Sequence, residues 1–247
     1  MLDYDGEAGE YDASRGGEPR ARAAAEALER LLPEGPGTVL DVACGTGIVT
    51  RRLARPGRMV LGVDRSPGML RLAARRHPGR VALGDATRLP VGTGAVDAVT
   101  LVWLLHLLPD ATPVLAEARR VLRPGGVLIT TVDKDDAYFT EDSDIAEVTA
   151  PLRRAYAPRV PDHSGRVLGW AARHGLRLVG ETTFPGTGQG RSPRTWRERI
   201  TGGHIPWSAA AEPGDAAEVC RGLASLPEQE TPRPDPRYRL IALARER

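Results

Sequence analysis

The stretch Val39-Leu-Asp-Val-Ala-Cys-Gly-Thr-Gly-Ile-Val-Thr50 decides how this chain is read. Thr38 to Val42 are rich in short, β-branched and apolar residues, which reads as a buried strand rather than a helix. Cys44, Gly45, Thr46 and Gly47 then leave no bulky side chain over the backbone, and a helical pattern resumes at Ile48, Val49 and Leu53. A strand, a tight glycine turn and a helix N-terminus in that order make a place where backbone N–H groups can approach an anionic ligand closely.

Working outward, the same alternation repeats. Arg58-Met-Val-Leu-Gly-Val-Asp64 is a second apolar run ending in an acid. Ser66-Pro67 follows as N-cap and first turn of a helix that buries Met69, Leu70 and Ala73. Arg80 to Gly84 is a third strand, ended by Asp85, and Ala95 to Val102 a fourth, running into Trp103-Leu-Leu-His-Leu-Leu-Pro-Asp110. Thr112-Pro113 caps a helix whose Val114, Leu115, Ala118, Val121 and Leu122 share one face. Arg123-Pro-Gly-Gly126 is a sharp turn into a fifth strand, Val127 to Val132. Strand and helix alternating through short connections predict an α/β fold with a parallel sheet covered on both faces. Ligands of such sheets bind outside the carboxyl ends of the strands, where strand order reverses. Gly45, Asp64 and Asp85 therefore fall on one rim.

Either side of this core the pattern loosens. Residues 1–17 are polar and glycine-rich, a composition that suits a disordered tail, and residues 18–32 turn helical, with Leu28, Leu31 and Leu32 in the apolar stripe. Residues 133–162 form an acidic insertion with a helix near 143–156. Asp133, Asp135 and Asp136 read as solvated loop acids, or as a holder of a cation or basic substrate. Ser164 to His174 is a helix stopped by Gly175, and Leu176 to Phe184 a strand. Residues 185–235 are rich in Gly, Pro and Arg, with helices near 193–201 and 213–225. Arg191, Arg194, Arg197 and Arg199 beside Trp196 read as a solvated helix face, the alternative being a contact for an anionic group or a partner surface. Tyr238 to Arg245 is a last strand, which after so long an excursion is free to lie antiparallel.

Composition bounds the function. At 247 residues, 41% hydrophobic and 27% charged, the chain is an ordinary globular protein able to bury a full core, expected as a single domain. A net charge of +2 is too small to call for a polyanion, and no nucleic-acid partner is expected. Cys44 and Cys220 are too few for a disulfide framework or a zinc knot, so no metal is expected and a reducing, cytoplasmic setting fits. No apolar run reaches membrane-spanning length, so no membrane partner is expected either.

The Gly-x-Gly pair alone leaves the ligand open. A dinucleotide site wants a third glycine where Thr50 stands, and a phosphate-binding loop wants a lysine that this turn lacks. The order Val-Leu-Asp-x-x-Cys-Gly-Thr-Gly, an acid about 20 residues later, Gly-Asp-Ala, a strand ending Leu-His-x-Leu-Pro-Asp, then Arg-x-Leu-Arg-Pro-Gly-Gly resembles the class I S-adenosylmethionine-dependent methyltransferases, in their small-molecule, methyltransferase type 11-like branch. The resemblance covers residues 38–132 and implies a Rossmann-like, seven-stranded, mostly parallel sheet with one antiparallel strand, helices on both faces and lid insertions. Residues 1–37 become an N-terminal lid and helix, 38–132 the cofactor core, and 133–162 and 185–235 insertions on the substrate side.

S-adenosylmethionine is then the cofactor and S-adenosylhomocysteine its product. Gly45 and Gly47 with the helix N-terminus receive the methionine carboxylate, and Asp41 orients the loop and meets the amino group. Asp64 accepts from both ribose hydroxyls, Asp85 from the adenine amino group, and the Ala86 N–H reaches a ring nitrogen. Met69 and Trp103 wall the ring, with Ala43, Cys44, Arg65, Thr87 and Val102 on the same rim. The segment Tyr11-Asp-Ala-Ser-Arg15 resembles the family's lid, where Tyr11 closes the site and Arg15 pairs with the carboxylate.

A sulfonium is already a strong electrophile, so alignment and exclusion of water come first, and a base is needed only if the attacking atom must lose a proton. His106 is the first base candidate and His163 the second. The expected acceptor is O, N or C of a small metabolite, possible in a secondary pathway, on a monomer or homodimer. The competing reading is a non-catalytic cofactor-binding partner or regulatory module.

Overall fold

The elements of the computed structural model, which describes residues 4–35 and 37–246, follow the predicted alternation. In chain order they are α1 (Tyr4–Ser14), α2 (Gly17–Glu29), β1 (Gly37–Val42), β2 (Arg58–Asp64), α3 (Pro67–Arg76), β3 (Val81–Leu83), β4 (Val96–Leu101), α4 (Thr112–Val121) and β5 (Leu122–Val132). Then come α5 (Asp144–Tyr156), α6 (Ser164–Arg173), β6 (Leu176–Pro185), α7 (Pro193–Thr201), α8 (Pro206–Ala209), α9 (Pro213–Ser225) and β7 (Arg237–Arg245).

The seven strands form one sheet in the order β3-β2-β1-β4-β5-β7-β6. β1 pairs in parallel with both β2 and β4, which is where strand order reverses. β7 inserts between β5 and β6 and runs antiparallel to both, the single reversed strand of a Rossmann-like sheet. Alternation along β1 sends Leu40 and Val42 into a core shared with α4 and α6. Val39 faces the opposite core, built from α2, Leu53, Phe184, Tyr238 and Leu240. A third cluster lies away from the sheet. Ile145 and Leu152 of α5, Trp196 and Ile200 of α7, Trp207 of α8 and Leu223 of α9 bury one another there, which brings the two long insertions together.

Three local expectations are corrected. The helix expected from Ile48 to Leu53 is a single 3-10 turn, Thr50–Leu53. Pro56 and Gly57, the latter at φ 79, turn the chain into β2 at once and leave no room for more. A helix this short supplies little macrodipole to the glycine turn. The Arg123–Gly126 turn is absorbed into β5: Leu122 pairs with Val96 and Val127 with Ala98, and the residues between form a bulge. The polar N-terminal segment is the helix α1 rather than a disordered tail from Tyr4 onward, and residues 1–3 lie outside the described residues.

Tertiary contacts hold α1. Asp5 accepts from the Ser66 hydroxyl and the Gly68 N–H, both at 2.6 Å, so its carboxylate caps the start of α3. Asp12 accepts from the Thr46 hydroxyl at 2.7 Å and pairs with Arg76 at 2.7 Å. These anchors override a composition that alone predicts no order.

Candidate active site

The carboxyl ends of β1 to β4 open into one cavity of about 290 Å³. Ala43 follows β1 at φ 58 and Trp103 follows β4 at φ 56, left-handed conformations that non-glycine residues rarely adopt. Both line the cavity, so strained backbone stands where the chain leaves the sheet at the point of strand reversal. Of the residues expected to bind the cofactor, Tyr11, Arg15, Asp41, Ala43, Cys44, Gly45, Asp64, Arg65, Met69, Asp85, Ala86, Thr87, Val102 and Trp103 line this cavity.

Gly47 does not. At φ 73 it closes the turn, and a Cβ there would stand 3.1 Å from Ala73, so its lack of a side chain lets α3 approach the loop. Gly45, at φ 55, would meet nothing with a Cβ; the turn needs its conformation rather than its smallness. The Gly45 N–H is donated to Asp64 Oδ2 at 2.8 Å and the Gly47 N–H to the Cys44 carbonyl at 3.0 Å. Both donors thus have acceptors within the protein, Gly45 at the end of β2 and Gly47 within the loop itself.

The three acids are held differently. Asp41 is buried and accepts from the Thr50 hydroxyl at 2.5 Å and the Thr100 hydroxyl at 2.7 Å. Burial outweighs these two bonds and pushes its carboxyl up to about 6. Thr50, which stands where a dinucleotide loop would have glycine, is thus the buttress of Asp41. Asp64 accepts from Gly45 N–H with one oxygen and from Ser66 N–H, at 2.9 Å, with the other. Each oxygen keeps a lone pair for a ligand. Asp85 is exposed and takes both the N–H and the hydroxyl of Thr87 at 2.8 Å, bonds that lower its pKa. Cys44 packs its sulfur against Gly62, where a Cβ would stand 2.8 Å away, and burial raises the thiol's pKa, so it is a wall and not a nucleophile.

The profile of a family described as a methyltransferase domain matches residues 40–130. Demethylmenaquinone methyltransferase of Mycobacterium bovis is 34% identical over 176 residues, 69% of this chain and 67% of that protein. The chain belongs to the class I S-adenosylmethionine-dependent methyltransferases. Demethylmenaquinone methyltransferase of Mycolicibacterium vanbaalenii is 42% identical over 132 residues, a match that spans only 56% of that relative's length and 51% of this chain. Among solved structures, the YcgJ protein of Bacillus subtilis aligns over 92% of this chain and 99% of its own with a TM-score of 0.58 at 15% identity. A S-adenosylmethionine-dependent methyltransferase of Methanosarcina mazei aligns over 89% and 96% with a TM-score of 0.54 at 14% identity. Both show the methyltransferase fold.

Several residues of this methyltransferase's site escaped the sequence reading. Asp12 and Thr46 line the cavity and bond to each other across it. Arg20 lines it too, only 8% exposed, with its guanidinium carbon 3.4 Å from the Trp103 ring centroid. It shares a helix face with buried Ala24 and Leu28 at a spacing of four, a signal that a buried arginine leaves in a sequence. Its Nη1 donates to the Arg15 carbonyl at 2.9 Å, which Gln189 also holds at 3.0 Å.

His106 lies just beyond β4 and His163 at the loop–helix junction before α6, as expected from the sequence, and neither lines the cavity. His163 is the N-cap position of α6, beside Asp136, and helps turn the chain there. His106 sits in the 3-10 turn Leu105–Leu107, whose neighbours Leu104, Leu107 and Leu108 line the cavity. Its Nδ1 is shielded from solvent without a partner, and burial first, then Lys134, holds its pKa well below the ordinary value. The acidic cluster is corrected, because each member has a task within the protein. Asp133 accepts from the Ser164 N–H at 2.8 Å, capping α6. Buried Asp135 pairs with Lys134 at 3.1 Å, and Asp136 faces Arg153 at 3.7 Å. Among the described residues no cluster of His, Cys, Asp or Glu could hold a metal ion, and no helix is long and apolar enough to cross a membrane.

Proposed function

We propose that this protein transfers a methyl group from S-adenosylmethionine to a small organic acceptor held between the strand ends and the insertion helices. The observation that carries the reading is Asp64: its carboxylate is fixed by two backbone N–H groups, and its free lone pairs share one cavity with Asp85, Met69 and Trp103. That arrangement suits a ribose diol on Asp64, an adenine edge at Asp85 and Ala86, and the amino acid end between Asp41 and Arg15. When bound, the cofactor supplies an activated methyl on a sulfonium. The residues of this chain orient it, and α1 shields it from water. Where the acceptor atom carries a proton, its lone pair would form the new bond to carbon, the carbon–sulfur pair would stay on sulfur, and the proton would be lost to water, because His106 lies outside the cavity lining with its pKa held well below the ordinary value.

A second reading follows from the relatives, whose name gives demethylmenaquinone as the acceptor. Calorimetry with S-adenosylhomocysteine and with NAD tests the cofactor, and binding of the first alone is expected. Transfer of labelled methyl is then measured with demethylmenaquinone and with a panel of small phenols, amines and acids. Absence of S-adenosylhomocysteine binding by folded protein removes the enzyme reading. Binding without transfer to any acceptor leaves a cofactor-binding module.

A further inference from the structure

Four arginines gather between the cavity and the third core, and among the described residues none forms an ion pair. Arg15 and Arg20 line the cavity. Arg191 and Arg199 come from the insertion that carries α7. Among the described residues none of the four pairs with a carboxylate, and Arg20 Nε, Arg191 Nη1 and Arg199 Nε are buried with no acceptor. Instead the guanidinium groups lie on aromatic rings. Arg20 stacks on Trp103 and stands 5.4 Å from Tyr238. Tyr238 sits beside Tyr138, and Arg191 lies 3.9 Å over the Tyr138 ring and 4.9 Å from Trp196. Cations and rings thus alternate from the cavity wall into the insertion core.

Stacking fixes the plane of a guanidinium and leaves its N–H edge aimed along that plane, ready for a planar or tetrahedral anion. Burying such groups costs free energy until a counter-charge arrives. The protein supplies little of one, since Asp135, the acid that acts on both Arg191 and Arg199, is held by Lys134. The cofactor does not supply it either. S-adenosylmethionine brings one carboxylate against an ammonium and a sulfonium, so it enters as a net cation, and Arg15 is enough for its carboxylate.

We propose that the methyl acceptor is an anion, a small molecule bearing a carboxylate or phosphate that is received by Arg20 and Arg191 between Trp103 and Tyr138. This rests on the methyl-transfer reading above. It also separates the protein from an enzyme whose acceptor is a neutral quinone.

The test is calorimetry on protein saturated with S-adenosylhomocysteine. The probes are 4-hydroxybenzoate and phenyl phosphate as the carboxylate and phosphate arms, with 4-hydroxybenzamide and phenol as their neutral counterparts. At least one anion is expected to bind with a Kd below about 1 mM, and its neutral counterpart at least about tenfold more weakly. Arg191→Gln is expected to weaken that anion at least about tenfold, Arg191→Lys less, and the control Arg197→Gln not at all. S-adenosylhomocysteine affinity in Arg191→Gln should stay within about twofold, which also reports that the variant is folded. Binding of neither anion, equal binding of the neutral probes, or an Arg191→Gln variant that binds like wild type overturns the proposal. Wild type that fails to bind S-adenosylhomocysteine defeats the methyl-transfer reading instead, and the same titrations without it still read the arginines.

Discussion

The rim of the sheet and the insertion that faces it are built on opposite plans. On the rim, recognition rests on backbone and short side chains: Ala43 and Trp103 in left-handed turns, Asp64 pinned by two N–H groups, Asp41 pinned by two threonines. In the insertion it rests on large rings and arginines, Trp196 packing 5.3 Å from Tyr138, 5.0 Å from Phe139 and 6.2 Å from Trp207. The first plan suits a ligand that never changes, because each contact fixes one atom. The second suits a ligand that differs between relatives, because ring faces and guanidinium edges can be rearranged without disturbing the sheet.

If the two plans are separable, breaking the insertion should spare the rim. Trp196 is 2% exposed at the centre of the third core, so Trp196→Ala should destabilise the protein by about 3–5 kcal/mol. Chemical denaturation measures the loss. Below the unfolding transition the variant should bind S-adenosylhomocysteine within about threefold of wild type. A parallel collapse of cofactor affinity would show that the insertion core and the rim are one cooperative unit.

That difference also governs what the sequence reveals. The rim is legible because its residues sit at strand ends in a fixed order. Gly45, Asp64 and Asp85 each follow an apolar run, and the chain between them is too short to place them elsewhere. Thr50 is legible only as a missing glycine, since its role is a contact with Asp41 nine positions away through a 3-10 turn that the helical spacing does not distinguish. The arginine and ring array leaves only fragments in the sequence, the buried face that Arg20 shares with Ala24 and Leu28 and the arginines beside Trp196. Arg20, Trp103, Tyr138, Arg191 and Tyr238 come from five separate segments and meet only in the fold, so spacing carries no trace of their meeting. The acids at 133–136 looked solvated because a sequence does not show that Lys134, Arg153 and the start of α6 already occupy them.

On the rim itself, Asp64→Ala should have the next largest effect. Two charged hydrogen bonds to the ribose would vanish, and Gly45 and Ser66 would lose their acceptor, so S-adenosylhomocysteine affinity should fall by about 2–4 kcal/mol. Calorimetry on folded variant decides it, and unchanged affinity would remove the ribose assignment.

Asp41 sharpens the comparison through pH. Its folded carboxyl titrates near 6 against an ordinary 3.8, so the folded protein holds a proton that the unfolded chain has already lost. Stability from this group is therefore full at acid pH and declines as pH rises from about 4 through 6, by on the order of 2–3 kcal/mol. Asp41→Asn removes the titration and leaves Asp162, which burial also pushes up to about 6, in both proteins. The stability of the variant relative to wild type should climb between pH 4 and 7 and then level off. A gap that stays flat over that range would return Asp41 to an ordinary carboxylate. Cofactor affinity of wild type should move the other way, weakening below about pH 6 as the partner of the ammonium becomes neutral.

The smallest effect expected is at the lid, and it asks whether α1 belongs to the rim. A Cβ on Gly68 would stand 2.8 Å from the Asp5 backbone, and Asp5 is what caps α3 there. Gly68 does not line the cavity, so Gly68→Ala touches the cofactor only by pushing α1 away. Losing the Asp5 bonds should cost about 1 kcal/mol, enough to speed S-adenosylhomocysteine dissociation several-fold while leaving association nearly unchanged. The second anchor, Asp12 with Thr46 and Arg76, remains and limits the loss. Stopped-flow displacement reads both rates. Faster dissociation with easier tryptic cleavage at Arg15 would make α1 a closing element of the cofactor site, whereas faster cleavage with unchanged dissociation would make it a cover that stabilises α3 alone.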